Sequence, residues 1–249
     1  MPTAAPTTRI HIGCAGWNVP RNSAATFPRE GSHLQRYAGR LTAVEINTSF
    51  YRPHRPATYA RWATSVPADF RFSVKVPQQI THQLRLRDAA QPTEEFFQQA
   101  SALGDRLGCF LVQLPPSLRY EADVADAFFS HWRQLFTGNI ACEPRHATWF
   151  STHANNLLRE HSVARVAADP ALHPAAEQPA GYTRFQYFRL HGSPRTYYSC
   201  YADEFLSTLA AKLTVPEEDA QEIWCIFDNT AAGHAAENAL QLQALLDQA

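Results

Sequence analysis

No apolar run in this 249-residue chain reaches the roughly 18 to 20 residues that a membrane-spanning helix needs. The opening residues, Met1-Pro2-Thr3-Ala4-Ala5-Pro6-Thr7-Thr8, lack the basic and apolar regions of a signal peptide, so a cytoplasmic location without membrane association is expected. An excess of charge of one sign is missing too: 22 basic residues face 23 acidic ones, a formal net charge of −1. Attraction of the whole molecule to nucleic acid or anionic lipid is thereby excluded, and any such binding has to come from a local patch. The five cysteines are odd in number, and Cys14, Cys109, Cys142 and Cys225 stand in or beside apolar runs. Reduced, buried thiols are expected rather than a disulfide framework. No Gly/Ser linker, charge block or low-complexity stretch marks a boundary, so a single domain over 9–249 is expected, behind a flexible tail over 1–8. The paired spacings of zinc motifs, His-Glu-x-x-His and Cys-x-x-Cys, are absent, as are a serine nucleophile elbow and a phosphate loop between Gly181 and Gly192. No resident metal or other cofactor is expected.

What is present is a recurrence of short runs rich in β-branched and aromatic residues: Arg9–Gly13, Ala43–Asn47, Phe70–Val76, Cys109–Leu114, Ile140–Glu143, Val163–Asp169, Phe185–His191 and Ile223–Asn229. Their average spacing of roughly 30 residues accommodates a strand, a helix and two loops, and is too long for a chain of hairpins. Helical periodicity fills several gaps: Phe96, Phe97, Ala100, Leu103 and Leu107 in one, Val124, Ala127, Phe128, Leu135 and Phe136 in another, and Ala239, Leu240, Leu242, Leu245 and Leu246 at the end. Eight such β and α units predict an α/β protein, a (β/α)8 TIM-type barrel in a single domain. The competing doubly wound sheet commonly carries Gly-x-Gly-x-x-Gly after its first strand. Here that turn reads Gly13-Cys14-Ala15-Gly16-Trp17, one glycine short and mis-spaced.

Residues two apart on a strand share a face. Ala43, Glu45 and Asn47 form one face, as do Arg71, Ser73 and Lys75; Cys109, Leu111 and Gln113; Arg165, Ala167 and Asp169; and Tyr187, Arg189 and His191. The uninterrupted apolar faces must meet the helices, so these more polar faces are expected inside the barrel. At the carboxyl ends of the strands, where barrel enzymes keep their sites, this gathers Glu45, Asn47, Lys75, Gln113, Glu143, Asp169, Arg189 and His191.

Several segments then resemble the DUF72 family, also called YecE-like. They are Ile12-Gly13-Cys14-Ala15-Gly16-Trp17, Val44-Glu45-Ile46-Asn47-Thr48-Ser49-Phe50-Tyr51, Phe70-Arg71-Phe72-Ser73-Val74-Lys75, Leu111-Val112-Gln113-Leu114-Pro115-Pro116-Ser117, Glu143-Pro144-Arg145-His146 with Trp149, and Arg189-Leu190-His191-Gly192. The resemblance runs in order along nearly the whole chain. It implies a TIM-type barrel related to the endonuclease IV and xylose isomerase group, and no settled activity. Cys14-Ala15 stands where the family commonly has Thr-Ser, which removes two hydroxyls from the first turn. The last strand ends Phe227-Asp228-Asn229-Thr230 where many relatives show Asn-Asn-Asp, and the resemblance carries over Asn229 rather than Asp228.

These residues suggest an enzyme, a hydrolase or isomerase, with Glu143, Asp169 and His191 as catalytic acid/base and orienting groups. Glu45, Asn47, Lys75, Gln113, Arg145, His146, Arg189, Asn229, Trp17 and Tyr51 are the expected substrate-binding set, and the expected partner is a small-molecule or nucleic-acid ligand bearing phosphate. A buried ion-pair network, with Glu45, Glu143 and Asp169 answering Lys75, Arg189 and Arg145, would explain the same residues. Such networks cost desolvation and seldom add net stability, so their concentration at a barrel rim favours a site. A non-catalytic nucleic-acid or nucleotide binder is the alternative, using Trp17, Tyr51 and other rim aromatics interleaved with arginines. A metal-dependent phosphoesterase rests on analogy with endonuclease IV-like barrels alone.

Overall fold

Strand β1 (Arg9–Ala15) lies between β10 (Glu222–Phe227) and β2 (Ala43–Ile46) and is parallel to both, so the first and last strands of the chain are neighbours. The computed structural model describes residues 8–215 and 219–248. Of the expected tail, residues 1–7 lie outside this range, while Thr8 donates its hydroxyl to the Ala220 carbonyl at 2.8 Å. From β2 the parallel order continues through β3 (Arg71–Lys75), β4 (Leu107–Gln113), β5 (Asn139–Glu143) and β6 (Val163–Arg165). In the other direction it passes from β10 through β9 (Phe185–Leu190) to β7 (Ala167–Asp169). Because β6 and β7 are consecutive, joined through Val166, the sheet closes on itself as the expected TIM-type barrel.

The single strand expected over Val163–Asp169 is split. A short β8 (Ala180–Gly181) pairs antiparallel with β6, taking the edge that β9 would otherwise use, and the chain reaches β9 only after Val166. Helices α1 (His33–Ala38), α2 (Pro56–Thr64), α3 (Ala90–Ala100), α4 (Ala122–Leu135), α5 (Thr152–Glu160), α6 (Asp203–Thr214) and α7 (His234–Leu246) flank the staves. Their apolar stripes, such as Phe128, Phe129 and Trp132 of α4, form an outer core with the strand residues that face them. No helix among the described residues is long and apolar enough to cross a membrane.

A second core fills the barrel itself. Phe185, Tyr187 and Trp224 pack there among the small side chains of Ala43, Ala141 and Ala164. The Trp224 and Tyr187 rings stack, 6.1 Å apart at 8°. Trp224 explains Gly108, where a Cβ would sit 2.4 Å from the indole. The Tyr37 hydroxyl pins β1 to β2 by accepting the Cys14 N–H at 2.8 Å and donating to the Ala43 carbonyl at 2.9 Å. A polar layer rests above this apolar filling.

In the sixth run the expected facing is reversed. Ala164 and Val166 join the inner core, while the Arg165 guanidinium points outward to Asn155 Oδ1 (2.7 Å) and the Ala175 carbonyl (2.7 Å). Both faces of this run are rich in alanine and valine, so alternation alone could not orient it. The helix side supplies the guanidinium with three acceptors, the Gln178 carbonyl at 3.4 Å being the third.

Candidate active site

Arg189, at the end of β9, is wholly buried. Its planar fork grips Glu45, with Nε donating to Oε2 at 2.9 Å and Nη2 to Oε1 at 2.7 Å. Nη1 donates to Glu143 Oε2 at 3.1 Å, and Nη2 lies 3.0 Å from Asp228 Oδ2. One guanidinium therefore gathers carboxylates from β2, β5 and the residue after β10. Tyr187, two positions earlier and on the same face, donates its hydroxyl to Glu45 Oε2 at 3.0 Å.

Glu143 is saturated with donors. His191 Nε2 (2.9 Å) and Arg145 Nη2 (3.2 Å) approach Oε1, while Gln113 Nε2 (2.8 Å) and Arg189 Nη1 approach Oε2. Burial by itself would raise its proton affinity, but Arg189, His191 and Arg145 outweigh burial and hold the carboxyl well below the usual range. His191 has a carboxylate at each ring nitrogen, because Nδ1 is 3.0 Å from Asp228 Oδ2. A neutral imidazole donates only once, so two ionised acceptors require the imidazolium. Burial opposes that charge; Glu143 and the bond to Asp228 overcome burial and raise the histidine above its ordinary value. Asp228 is shifted down in turn, burial being outweighed by Arg189 and His191.

Lys75 differs from the other cations. Its side chain is buried, with Nζ 4.2 Å above the Phe50 ring, and no carboxylate among the described residues lies within ion-pair distance of it. Burial, then Arg189, push its ammonium down to about 8 against the pull of Glu45, Glu143 and Asp228. The polar layer thus holds four cations, Lys75, Arg145, Arg189 and His191, against three anions, Glu45, Glu143 and Asp228. A cavity of about 220 Å³ opens over Glu143, Arg145 and His191, walled by Leu172, Thr196 and Tyr197. A wider one of about 430 Å³ lies between Trp17, His33, Asn47 and Tyr51.

The whole stretch 11–249 matches the family described as protein of unknown function DUF72. The chain belongs to the DUF72 family. The UPF0759 protein YecE of Escherichia coli K12 is 30% identical over 174 residues, which is 64% of this chain and 59% of YecE. The chain therefore spans about three fifths of the length of that curated relative. YunF of Bacillus subtilis is 22% identical over 273 residues, 96% of this chain and 95% of YunF. Among solved structures, a DUF72 family protein of Thermotoga maritima superposes with a TM-score of 0.79 at 26% identity, covering 96% of this chain and 99% of the other.

In this DUF72 barrel Glu45, Lys75, Gln113, Glu143, Arg189 and His191 converge at the carboxyl end as expected, with Arg145 beside them. Asp169 does not join them. It belongs to the reversed run, accepts the Tyr201 hydroxyl at 2.8 Å and borders a separate cavity on the helix side with Phe188, Leu190 and Leu209. Asn229 is fully buried, its amide donating to the Ser199 carbonyl (3.0 Å) and Asn238 Oδ1 (2.9 Å), while its own Oδ1 has no hydrogen-bond partner among the described residues. The carboxylate at the last strand is Asp228, which sequence reasoning passed over. Alternation puts Asp228, the residue after β10, on the side of Trp224 and Ile226, but the opposite face is equally apolar, so the sequence alone did not single it out. His146 accepts the Thr148 N–H as a helix cap, and Asn47 turns with the chain after β2 toward Trp17 and Tyr51. Trp149 is buried, donating to the Leu118 carbonyl. The barrel mouth suits a divalent cation poorly, because each of its carboxylates is already paired with a guanidinium or imidazolium.

Proposed function

We propose that this protein is an enzyme acting on a small, phosphate-bearing substrate, with the anion held between Arg145 and Lys75, and with His191 adding fixed positive charge beside it. The observation that carries this reading is the excess of buried positive charge, and in particular the Lys75 ammonium buried without a carboxylate partner. An isolated buried charge is costly unless a ligand completes it. His191 lines the cavity, and because both its N–H groups are engaged by Glu143 and Asp228 it adds fixed positive charge there rather than a transferable proton. Glu143 is the wrong choice for accepting a proton near neutrality, since four donors hold it ionised. It and Asp228 act as positioning residues that fix the imidazolium. Arg189 has its whole fork engaged by carboxylates, which leaves Arg145, on the cavity wall, as the guanidinium for a ligand.

The test is calorimetric titration of the protein with inorganic phosphate and nucleoside monophosphates, followed by a hydrolysis screen of phosphate esters. Arg145→Gln and Lys75→Met are each expected to weaken phosphate binding by tenfold or more, a loss of about 1.4 kcal/mol. His191→Asn removes the imidazolium that Glu143 and Asp228 hold and should lower turnover while leaving phosphate binding measurable. Undiminished phosphate binding in both cation variants would overturn the reading. The exposed Tyr51, and Tyr198 with Arg195 stacked 4.0 Å over it, favour one second reading, a single-stranded nucleic-acid binder. Oligonucleotide binding that falls steeply with salt and survives His191→Asn would select it.

A further inference from the structure

Away from the polar layer of the barrel mouth, a loop and a helix bring together three side chains with the donor chemistry of a metal site. Cys200 lies in the segment between β9 and α6, His234 opens α7, and Glu237 stands one turn further along the same face of that helix. One ligand atom from each lies within 4.8 Å of the other two, the only such grouping of three or more His, Cys, Asp and Glu among the described residues.

Of the three, His234 is the one left unsatisfied as they stand. His234 Nδ1 is shielded from solvent without a hydrogen-bond partner, and its nearest carboxylate oxygen, Glu237 Oε2, is 4.0 Å away, too far to bond. Cys200 is the one cysteine of the five that is exposed. Its Sγ accepts from Asn238 Nδ2 at 3.3 Å and reaches the Tyr201 carbonyl and Asn238 Oδ1 only at 3.6 Å, and Asn238 is itself fully buried and bonded to Asn229 and Tyr201. The sulfur is thus held by a fixed amide donor, an outer contact of the kind that orients a metal ligand.

We propose that Cys200, His234 and Glu237 form a zinc site, binding Zn²⁺ through a thiolate, an imidazole nitrogen and a carboxylate oxygen, with water as the fourth ligand. A sulfur, nitrogen and oxygen set selects zinc over magnesium or calcium. Bonds of about 2.0 to 2.3 Å require the ligand atoms to draw in by up to about 1 Å, a small rotation for side chains at the surface. The positive end of α7 opposes a cation, and two anionic ligands offset it. On binding, the Cys200 thiol gives its proton to solvent as the S–Zn bond forms. The ion would tie the start of α7 to the loop that carries Tyr197, a wall of the 220 Å³ cavity, and so steady the mouth without touching substrate.

Cobalt(II) makes the site visible. The full chain, treated with chelator, is titrated with Co²⁺ and then with Zn²⁺, and near-ultraviolet absorption and Tm are recorded. Wild type should take one equivalent with a thiolate-to-cobalt charge-transfer band that zinc bleaches, and zinc should raise Tm. The other four cysteines are buried, so the band reports Cys200 in the folded chain. Cys200→Ser should lose the band, and His234→Gln should weaken cobalt binding by more than about 100-fold, the upper end for losing an outer-sphere partner. Glu237→Gln, at an exposed position, provides a variant with little risk to folding, checked by circular dichroism, and should lose the rise in Tm. A wild-type chain that shows no band at one equivalent, or a band that persists in Cys200→Ser, would overturn the proposal.

Discussion

Replacing Lys75 with methionine should stabilise the fold. The fall of its ammonium from the ordinary 10.5 to about 8, at about 1.4 kcal/mol for each tenfold change in proton affinity, corresponds to roughly 3 kcal/mol of strain in the charged, ligand-free state. Methionine keeps the unbranched stem and its packing on Phe50 and lets go of the charge. Some attraction to Glu45, Glu143 and Asp228 is lost with the charge, but the net shift already contains that attraction. A gain of about 1 to 3 kcal/mol at pH 7 is expected from urea unfolding, after allowing for relaxation and water penetration. The sign of the pH dependence follows from the same shift. A lysine whose folded value is depressed destabilises the native state fully below about pH 8, and the penalty fades as pH rises toward 10.5. The advantage of Lys75→Met should therefore shrink between those limits. In phosphate the order should reverse, because the ligand stabilises only the protein that can bind it. A variant less stable than wild type by more than about 1 kcal/mol at pH 7, with a gap indifferent to pH above 8, would refute the argument and make Lys75 an ordinary structural cation.

Arg189→Met should behave oppositely, costing about 3 to 5 kcal/mol at neutral pH because three buried carboxylates lose their shared partner; a midpoint shift in urea measures it, and the loss should ease in acid as those carboxyls protonate. In wild type, Glu143 and Asp228 have depressed values, so their contribution is present above the ordinary carboxylate range and is lost as pH falls through and below it, which acid unfolding monitored by circular dichroism can follow. Asp169→Asn should leave phosphate affinity within about twofold of wild type and lower stability by about 1 kcal/mol through its bond to Tyr201, as calorimetry and urea unfolding would show. Gly13→Ala should destabilise by more than about 3 kcal/mol or prevent folding, since a Cβ there would lie 2.1 Å from the Ala43 carbonyl oxygen and force β1 away from β2; thermal unfolding is the check.

Alternation in short strands was sufficient by itself to place Glu45, Lys75, Gln113, Arg189 and His191 on one face of their staves, because a strand's period of two is a local property of the backbone. Closure of those staves into a barrel then turned four separate faces into one site. Where alternation was ambiguous, only tertiary packing could decide. Arg165 and Asp169 turned outward because their partners, Asn155 on α5 and Tyr201 before α6, stand on the helix side, and neither contact is encoded near them in the chain. Which of Asp228 and Asn229 would face Arg189 depended on the register of β10, which packing of Trp224 and Ile226 inside the barrel sets. The protonated state of His191 and the unpaired charge of Lys75 are likewise tertiary facts, since each arises from which carboxylates the folded barrel brings within 3 Å or leaves out of reach. The sequence named the groups that carry chemistry, and their distances, burial and charge states came only when distant strands enclosed them away from water.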